Sequence, residues 1–214
     1  MDASESPERR ALSAQPHIIG TPNQKRRHAR PLTRVETVSD LLYASYANLA
    51  SIDAARSRGL AKRDRVCWMI RAKLLKGLRD GTMTVSTLFA DVMMMPSDQC
   101  VYCGATPPPK LHGDHLIPRH RGGPESGDNL VWACRSCNSS KNDRDLLEWY
   151  AAKDDFPTVS LMRRYLKLAL AEAESRGILG VQLSERPAVT FSLDFIPLAY
   201  PEPGARSALT QRTE

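Results

Sequence analysis

The spacing of hydrophobic residues predicts a mainly helical chain, with helices before and after a segment (residues 100–150) that holds four of the five cysteines. Apolar residues recur at helical spacing over residues 38–58, and Gly59 follows as a helix stop. A second helix is predicted over residues 62–79, ending near Gly81. Its inward face is predicted to carry Val66, Met69, Ile70, Leu74 and Leu75.

Two more helices are predicted on either side of the cysteine-bearing segment. Ser86 is placed to cap a short helix that extends to Met95, and Pro96 then breaks the chain. After the cysteines, apolar residues at helical spacing predict a helix over residues 158–176 that stops at Gly177.

The two ends of the chain have a different composition. Residues 1–34 are polar and basic with few large apolar side chains, which predicts a flexible basic arm. A nucleic-acid contact and a solvated tail both explain such an arm. Residues 181–214 combine a short apolar segment around residues 191–196 with a polar, proline-bearing tail.

The charge balance favours a polyanionic partner. The chain has 30 Lys and Arg residues against 24 Asp and Glu residues, a formal net charge of +6. Basic side chains that contact phosphates release condensed counterions, so this excess suits nucleic acid. A basic protein without such a partner remains an alternative on charge alone. The same two interpretations, phosphate contact or solvated face, apply to the basic side of the helix predicted over residues 62–79.

Cysteine usage and hydropathy indicate the compartment. No window approaches the roughly 18 apolar residues of a membrane span, and the N-terminus MDASESPERR carries no apolar secretory core. Four cysteines stand in two CxxC pairs, which in a chain without an export signal indicates metal binding rather than disulfides. A cytoplasmic location is therefore expected. The fifth cysteine, Cys67, is expected to be a buried small hydrophobe.

The two CxxC pairs predict a structural zinc site. Each pair forms a tight knuckle that brings two thiolates to one point, and two knuckles complete a tetrahedral four-sulfur site. Because the protein supplies all four ligands, this zinc leaves no position for a reactive water. A redox dithiol is the alternative. The predicted ligands are Cys100, Cys103, Cys134 and Cys137.

The insert between the knuckles carries a second set of chemical groups. An Asp114-His115 dipeptide supplies a hard oxygen ligand and a base that titrates near neutral pH, the two groups that metal-assisted hydrolysis needs. On a strand these side chains would point to opposite faces, so a twist or bulge is expected there. His112 is either an auxiliary group or a strand residue facing away from His115, and His120 is expected to face phosphate or solvent.

This arrangement resembles the HNH endonuclease family, also called ββα-metal or His-Me finger nucleases. The matching pattern covers residues 100–141: C-x2-C, DH followed by two hydrophobic residues and Pro, then GG, NL, C-x2-C-N and Lys. The resemblance implies an α+β fold, in which a small ββα-metal unit with a structural four-cysteine zinc is embedded in a mainly helical chain. It further implies a return strand at residues 130–133 and a helix that starts near Asn138 and continues through Leu146, Leu147 and Trp149.

The resemblance also implies roles for individual residues. His115 would be the general base, and Asp114 and Asn138 would hold one catalytic Mg²⁺ or Mn²⁺. Asn129 would brace the loop behind His115. The products would carry 5′-phosphate and 3′-hydroxyl ends. Candidates to hold flanking phosphates are Lys141, Arg119 and Arg121, with a plain surface role as the alternative for the two arginines.

One position departs from the pattern of many family members, which have His where this chain has Asn138. The resulting His115-Asn129-Asn138 set resembles active family members such as phage Holliday-junction resolvases and the HNH domain of RNA-guided nucleases. An amide oxygen is a harder ligand than imidazole, so Mg²⁺ is favoured over softer metals.

The leading hypothesis is a DNA endonuclease, and the alternative is a zinc-dependent nucleic-acid-binding module without catalysis. Five regions are predicted: a basic arm (1–34), a helical region (35–95), the HNH domain (96–152), a C-terminal helix (153–180) and an irregular tail (181–214). The chain has no GxxxxGK[ST] nucleotide site, so nucleotide control would need a regulatory protein partner. Family analogy suggests an effector role in a phage-defence or mobile-element system.

Overall fold

A computed structural model describes residues 34–85, 98–105 and 110–205 of the chain. The predicted basic arm lies outside the described residues except for Arg34. The short helix predicted from Ser86 to Met95 and the last nine residues of the predicted tail also lie outside them. These expectations therefore stay predictions.

The first helix, α1 (Val38–Ser57), is buried on most of its surface. Thr37 caps its N-terminus, and a capping box joins Thr37 to Asp40: the Thr37 side chain accepts from the Asp40 backbone N–H at 3.1 Å, and the Asp40 carboxylate accepts from the Thr37 N–H at 3.3 Å. Gly59, with φ of 67°, follows the end of the helix as the sequence predicted. α1 contacts two other helices on different sides. Its buried residues therefore do not form a single stripe along the helix.

The second helix, α2 (Arg65–Arg79), packs on α1 with a different face from the one predicted. Val66, Met69 and Ile70 were expected to face inward, but they are 47%, 60% and 37% exposed. This part of the prediction is wrong. The face against α1 carries the buried Cys67 and Leu75 and, with them, Leu78 and the half-buried Leu74 and Arg71.

Arg71 also lies on the packed side of α2. Its guanidinium donates to the side-chain oxygen of Asn48 on α1, and burial lowers the pKa of Arg71. Leu74 and Leu75, which the sequence also placed inward, are half-buried and buried on this side. A polar pair between two helices is not visible in hydrophobic periodicity, so the sequence did not predict this contact.

The sheet consists of two antiparallel strands, β1 (Leu111–His115) and β2 (Leu130–Cys134). The return strand predicted over residues 130–133 is confirmed. The register is continuous from Leu111 opposite Cys134 to His115 opposite Leu130, so no bulge interrupts the pair. The sequence predicted a twist or a bulge near the Asp-His dipeptide, and the structure has no bulge in this pair of strands. β1 ends at His115 instead, and the chain leaves the sheet there.

The helix predicted to continue from Asn138 to Trp149 is two separate helices, α3 (Arg135–Lys141) and α4 (Leu146–Ala151). The chain leaves the helical conformation at Asn142, which has φ of 52°, a value that Asn tolerates better than most residues. A new cap then starts α4, because the Asp145 side chain accepts from the Leu147 N–H at 2.8 Å. The prediction of one continuous helix is wrong because these two local signals end and restart it.

The last long helix, α5 (Val159–Ser175), confirms the helix predicted over residues 158–176, and Gly177 follows it with φ of 67°. α5 packs on α1, and residues of α1, the sheet, α4 and α5 belong to one hydrophobic core. After α5 the chain forms two short 3₁₀ turns, Leu183–Glu185 and Leu193–Phe195. It adds Phe191, Ile196 and Tyr200 to the core. Among the described residues, no helix combines the length and apolarity needed to cross a bilayer.

Candidate functional site

The four cysteines of the two CxxC pairs form one cluster. Their sulfur atoms all lie within 4.8 Å of one another, and the Sγ atoms of Cys103 and Cys134 are 3.9 Å apart. Four sulfurs bound at about 2.3 Å to one tetrahedral ion would stand about 3.8 Å apart. The spacing in the structure therefore fits a zinc site with four thiolate ligands.

Local structure explains how the two knuckles meet. The first follows a turn closed by the Gly104 N–H, which donates to the Cys100 carbonyl at 2.7 Å, and the Val101 N–H ties it to the Trp132 carbonyl of β2 at 3.0 Å. The second knuckle begins at Cys134, the last residue of β2. Its sulfur accepts from the Cys137 N–H at 3.5 Å and caps α3.

The electrostatics of the cluster also suit a divalent cation. Burial raises the pKa of Cys100, but backbone hydrogen bonds from Cys134, Cys103 and Tyr102 outweigh it and bring the pKa to about 7. Burial and the neighbouring thiols raise the pKa values of Cys103 and Cys137. Four thiolates at this spacing repel each other, and a cation between them removes that repulsion. The donor set thus has the chemistry of a structural zinc site.

A second feature, an open cleft of about 270 Å³, lies where β1 ends. It contains both residues of the Asp-His dipeptide, although they are neighbours on a strand. Its lining residues are Asp114, His115, Pro118, Arg119, His120, Lys141, Asn142 and Asp143.

The Asp114 carboxylate is held at both oxygens by buried side chains. Tyr102 donates its hydroxyl to Oδ2 at 2.6 Å, and the Lys141 ammonium lies 3.3 Å from Oδ1. Lys141 also donates to the His115 carbonyl at 2.6 Å. Burial lowers the pKa of Lys141, while the charge of Asp114 opposes that shift. The Asp114 side chain is 8% exposed and that of Lys141 1%, so the pair is mostly shielded from water.

His115 lines the same cleft and is half-buried, whereas Asp114 is buried. Its imidazole makes no hydrogen bond within the described part of the chain. An imidazole without such a bond can accept a proton from a bound water, as a general base must. His112 lies opposite Ala133 in the sheet and does not line the cleft, whereas His120 does.

Asn129 lies directly before β2 and is fully buried. Its Oδ1 accepts from the Ile117 N–H at 2.9 Å, and its Nδ2 donates to the carbonyls of Ile117 at 2.8 Å and Pro124 at 3.0 Å. The Asn129 side chain thus makes hydrogen bonds with the backbone at both ends of the loop that follows His115. Asn129 does not line the cleft.

Asn138 is half-buried on α3 and does not line the cleft. Asn142, four residues later, does line it. The Asn142 N–H donates to the Asn138 carbonyl at 2.8 Å, so Asn138 lies one helical turn before a lining residue. The structure therefore brings Asp114 and His115 to one cleft and leaves Asn138 outside its lining.

The three candidate phosphate contacts have different surroundings. Lys141 lines the cleft but is buried against Asp114. Arg121 is exposed, does not line the cleft, and forms a bidentate pair with Glu148 at 2.7 and 2.8 Å. Arg119 lines the cleft with 63% of its side chain exposed, although it also pairs with Glu125 on the surface.

Sequence analysis missed three residues of this site: Tyr102, Asn142 and Asp143. The last two line the cleft because the chain turns at Asn142, which the helical pattern did not reveal. Tyr102 stands between two cysteines of the cluster, and a CxxC pattern assigns a role to its cysteines but not to the residues between them. The available signal was its position, because a residue inside a knuckle is fixed by both neighbouring cysteines.

A two-stranded antiparallel sheet, a helix packed on both strands, a four-cysteine cluster and an Asp-His cleft define the class of small ββα-metal units. In agreement, residues 100–144 match the model of a family described as HNH endonuclease. This segment is therefore similar to HNH domains, and members of that family are generally nucleases. Searches of curated proteins and of solved structures found no match to the chain.

Proposed function

We propose that the protein is a metal-dependent endonuclease that hydrolyses phosphodiester bonds in DNA and leaves 5′-phosphate and 3′-hydroxyl ends. The observation that carries this proposal is the shared cleft of Asp114 and His115 at the end of β1. A zinc-stabilised binding module needs neither an open imidazole nor a carboxylate beside it. The four-cysteine cluster already accounts for the structural metal.

Asp114 and Asn138 would hold the catalytic Mg²⁺ or Mn²⁺ through oxygen. The Asp114 carboxylate fits this role, since it lines the cleft and is a hard anionic ligand. Asn138 carries a hard amide oxygen one helical turn before Asn142, and Asn142, which lines the cleft, carries another. When bound, the ion supplies Lewis-acid stabilisation of the scissile phosphate and the leaving 3′ oxygen.

The protein side chains then have separate tasks. His115 accepts the proton of the attacking water, because it lines the cleft and its imidazole has no hydrogen-bond partner in the described chain. Asn129 fixes the loop after His115, and Lys141 fixes the His115 carbonyl. Arg119 is the candidate to hold a flanking phosphate from the rim of the cleft.

The test compares two histidines on the same strand. His115→Ala should lower metal-dependent cleavage of plasmid DNA by about 100-fold or more, the usual cost of removing a general base. His112→Ala is the matched control, because His112 is also on β1 but does not line the cleft. If both variants cleave at the wild-type rate, the base assignment is wrong.

The substrate class is tested with the same preparations. Zinc-loaded protein would be incubated with supercoiled plasmid, linear duplex DNA, single-stranded DNA and RNA, each with Mg²⁺, with Mn²⁺ or with neither. Cleavage of DNA that requires the added ion supports the proposal. Binding to DNA without cleavage of any substrate would favour the alternative, a non-catalytic zinc-dependent nucleic-acid-binding module.

The cellular role is a proposal from family analogy. HNH subunits serve as effectors in phage-defence and mobile-element systems, and a basic chain without a nucleotide-binding motif would depend there on a regulatory partner. Cleavage by the purified protein alone at a rate unaffected by other components would argue against that dependence.

A further inference from the structure

Tyr102 links the cysteine cluster to the cleft. It stands between Cys100 and Cys103, and its side chain is 1% exposed. Its hydroxyl donates to Asp114 Oδ2 at 2.6 Å. Its ring packs edge-on against Trp149 of α4, with 5.0 Å between the ring centroids. The residue is therefore fixed by the knuckle at its backbone, by Trp149 at its ring and by Asp114 at its hydroxyl.

The hydroxyl is the donor of this bond. An ionised carboxylate can only accept, and the 2.6 Å distance fits a phenol O–H that donates to it. A carboxylate accepts such a bond more strongly than a neutral group would. The contact consequently favours one orientation of the Asp114 side chain over the others.

The two oxygens of Asp114 then face different partners. Tyr102 occupies Oδ2, while Oδ1 lies on the side of Lys141, which lines the cleft. Without the Tyr102 hydroxyl, the carboxylate could rotate about its last side-chain bond and present either oxygen. Groups that orient a metal ligand in this way often set metal affinity, and their loss typically costs 10- to 100-fold.

We propose that Tyr102 is a positioning residue for the catalytic metal: its hydroxyl takes Oδ2 of Asp114 and leaves Oδ1, whose contact with Lys141 is longer at 3.3 Å, as the oxygen that would bind the ion in the cleft. This inference rests on the proposed function. It makes the cysteine cluster part of the catalytic apparatus, because the same knuckle that binds zinc also places Tyr102. The two metal sites are thus joined by one side chain and one hydrogen bond.

The experiment measures Mn²⁺ binding directly. Zinc-loaded wild type and Tyr102→Phe would be titrated with Mn²⁺ and followed by electron paramagnetic resonance, and cleavage would be measured over the same concentrations. Phenylalanine keeps the ring contact with Trp149 and removes only the hydroxyl. The expected result is a dissociation constant for Mn²⁺ about 10-fold higher, with cleavage restored at high Mn²⁺.

Tyr200→Phe is the matched control. Tyr200 is also buried, and its hydroxyl forms a 2.6 Å hydrogen bond with Ser45 on α1, away from the cleft. Both variants lose one short buried hydrogen bond, and the loss of stability should be larger for Tyr102→Phe because its acceptor is charged. Only Tyr102→Phe should change the Mn²⁺ dissociation constant. Equal Mn²⁺ affinities in the two variants would overturn the proposal.

A double-variant cycle separates positioning from a general loss of structure. In an Asp114→Asn background the carboxylate is gone, so adding Tyr102→Phe should change Mn²⁺ affinity by less than about twofold. A further loss of about 10-fold there would show that Tyr102 acts by another route and would overturn the proposal. Wild-type protein that binds Mn²⁺ in a Tyr102-dependent way without cleaving would uphold the positioning role while refuting the nuclease function.

Discussion

Arg164 of α5 holds Asn129 from both sides. Its buried guanidinium donates to the carbonyls of the two flanking residues, Asp128 at 2.6 Å and Leu130 at 2.8 Å, and also to the Gly127 carbonyl. Asn129 in turn holds the loop that follows His115. A helix outside the HNH segment therefore supports the loop beside the cleft.

Replacing Arg164 with Met should destabilise the protein by about 3 kcal/mol, because buried carbonyls lose a charged donor. Urea denaturation measures the change in the free energy of unfolding. The neighbouring Arg163→Met is the control: Arg163 pairs with a partly exposed Asp53, and such pairs contribute about 1 kcal/mol or less. Equal losses in the two variants would contradict the clamp described for Arg164.

Cys137→Ser should lose bound zinc and cooperative folding together. Structural zinc in small domains contributes about 10–16 kcal/mol of apparent binding free energy, which is comparable to the whole stability of a domain. Metal content by mass spectrometry and thermal unfolding by circular dichroism measure the two effects. Cys67→Ser is the control, since Cys67 is buried between α1 and α2 outside the cluster, and it should keep one zinc per chain. Full zinc content in Cys137→Ser would refute the four-thiolate site.

The orientation of α2 is tested by a pair of substitutions. Met69→Ser should change the free energy of unfolding by no more than about 0.5 kcal/mol, because Met69 is 60% exposed. Leu75→Ala should cost about 2–5 kcal/mol, because Leu75 is buried. Chemical denaturation at one pH compares them. A large loss for Met69→Ser would mean that the stripe predicted from the sequence is buried after all.

Asp145 should make stability fall as pH rises. Burial raises its pKa to about 6, against a usual value near 4 in an unfolded chain. Between about pH 4 and pH 6 the Asp145 carboxyl group ionises more readily in the unfolded chain than in the folded protein. Ionisation therefore favours unfolding, and the free energy of unfolding falls by up to about 3 kcal/mol. Roughly 1 kcal/mol of this loss falls between pH 5 and pH 7.5.

Asp145→Asn removes that titration while an amide oxygen can still accept from the Leu147 N–H and cap α4. Urea denaturation of both proteins at pH 5 and pH 7.5 gives the comparison, and zinc binding contributes equally to each. Relative to the variant, the wild type should be about 1 kcal/mol less stable at the higher pH than at the lower. A difference that does not change with pH would refute the raised pKa.

Much of the site could be predicted from the sequence because its chemistry depends on short spacings. A CxxC pair brings two sulfurs together within one turn, and adjacent Asp and His residues stay within reach of each other wherever the strand ends. The four-cysteine cluster, the β2 strand and the helix over residues 159–175 follow from local patterns of this kind. The helix stops at Gly59 and Gly177 do so as well.

The tertiary structure alone decided which groups face each other across the fold. Arg71 of α2 pairs with Asn48 of α1, Lys141 is buried against Asp114, and Arg164 donates to three carbonyls far along the chain. Each outcome depends on a partner that is distant in sequence, because a buried charge is stable only where it is paired or hydrogen-bonded. Spacing along the chain identified the reactive groups, and packing determined which of them are open to a substrate.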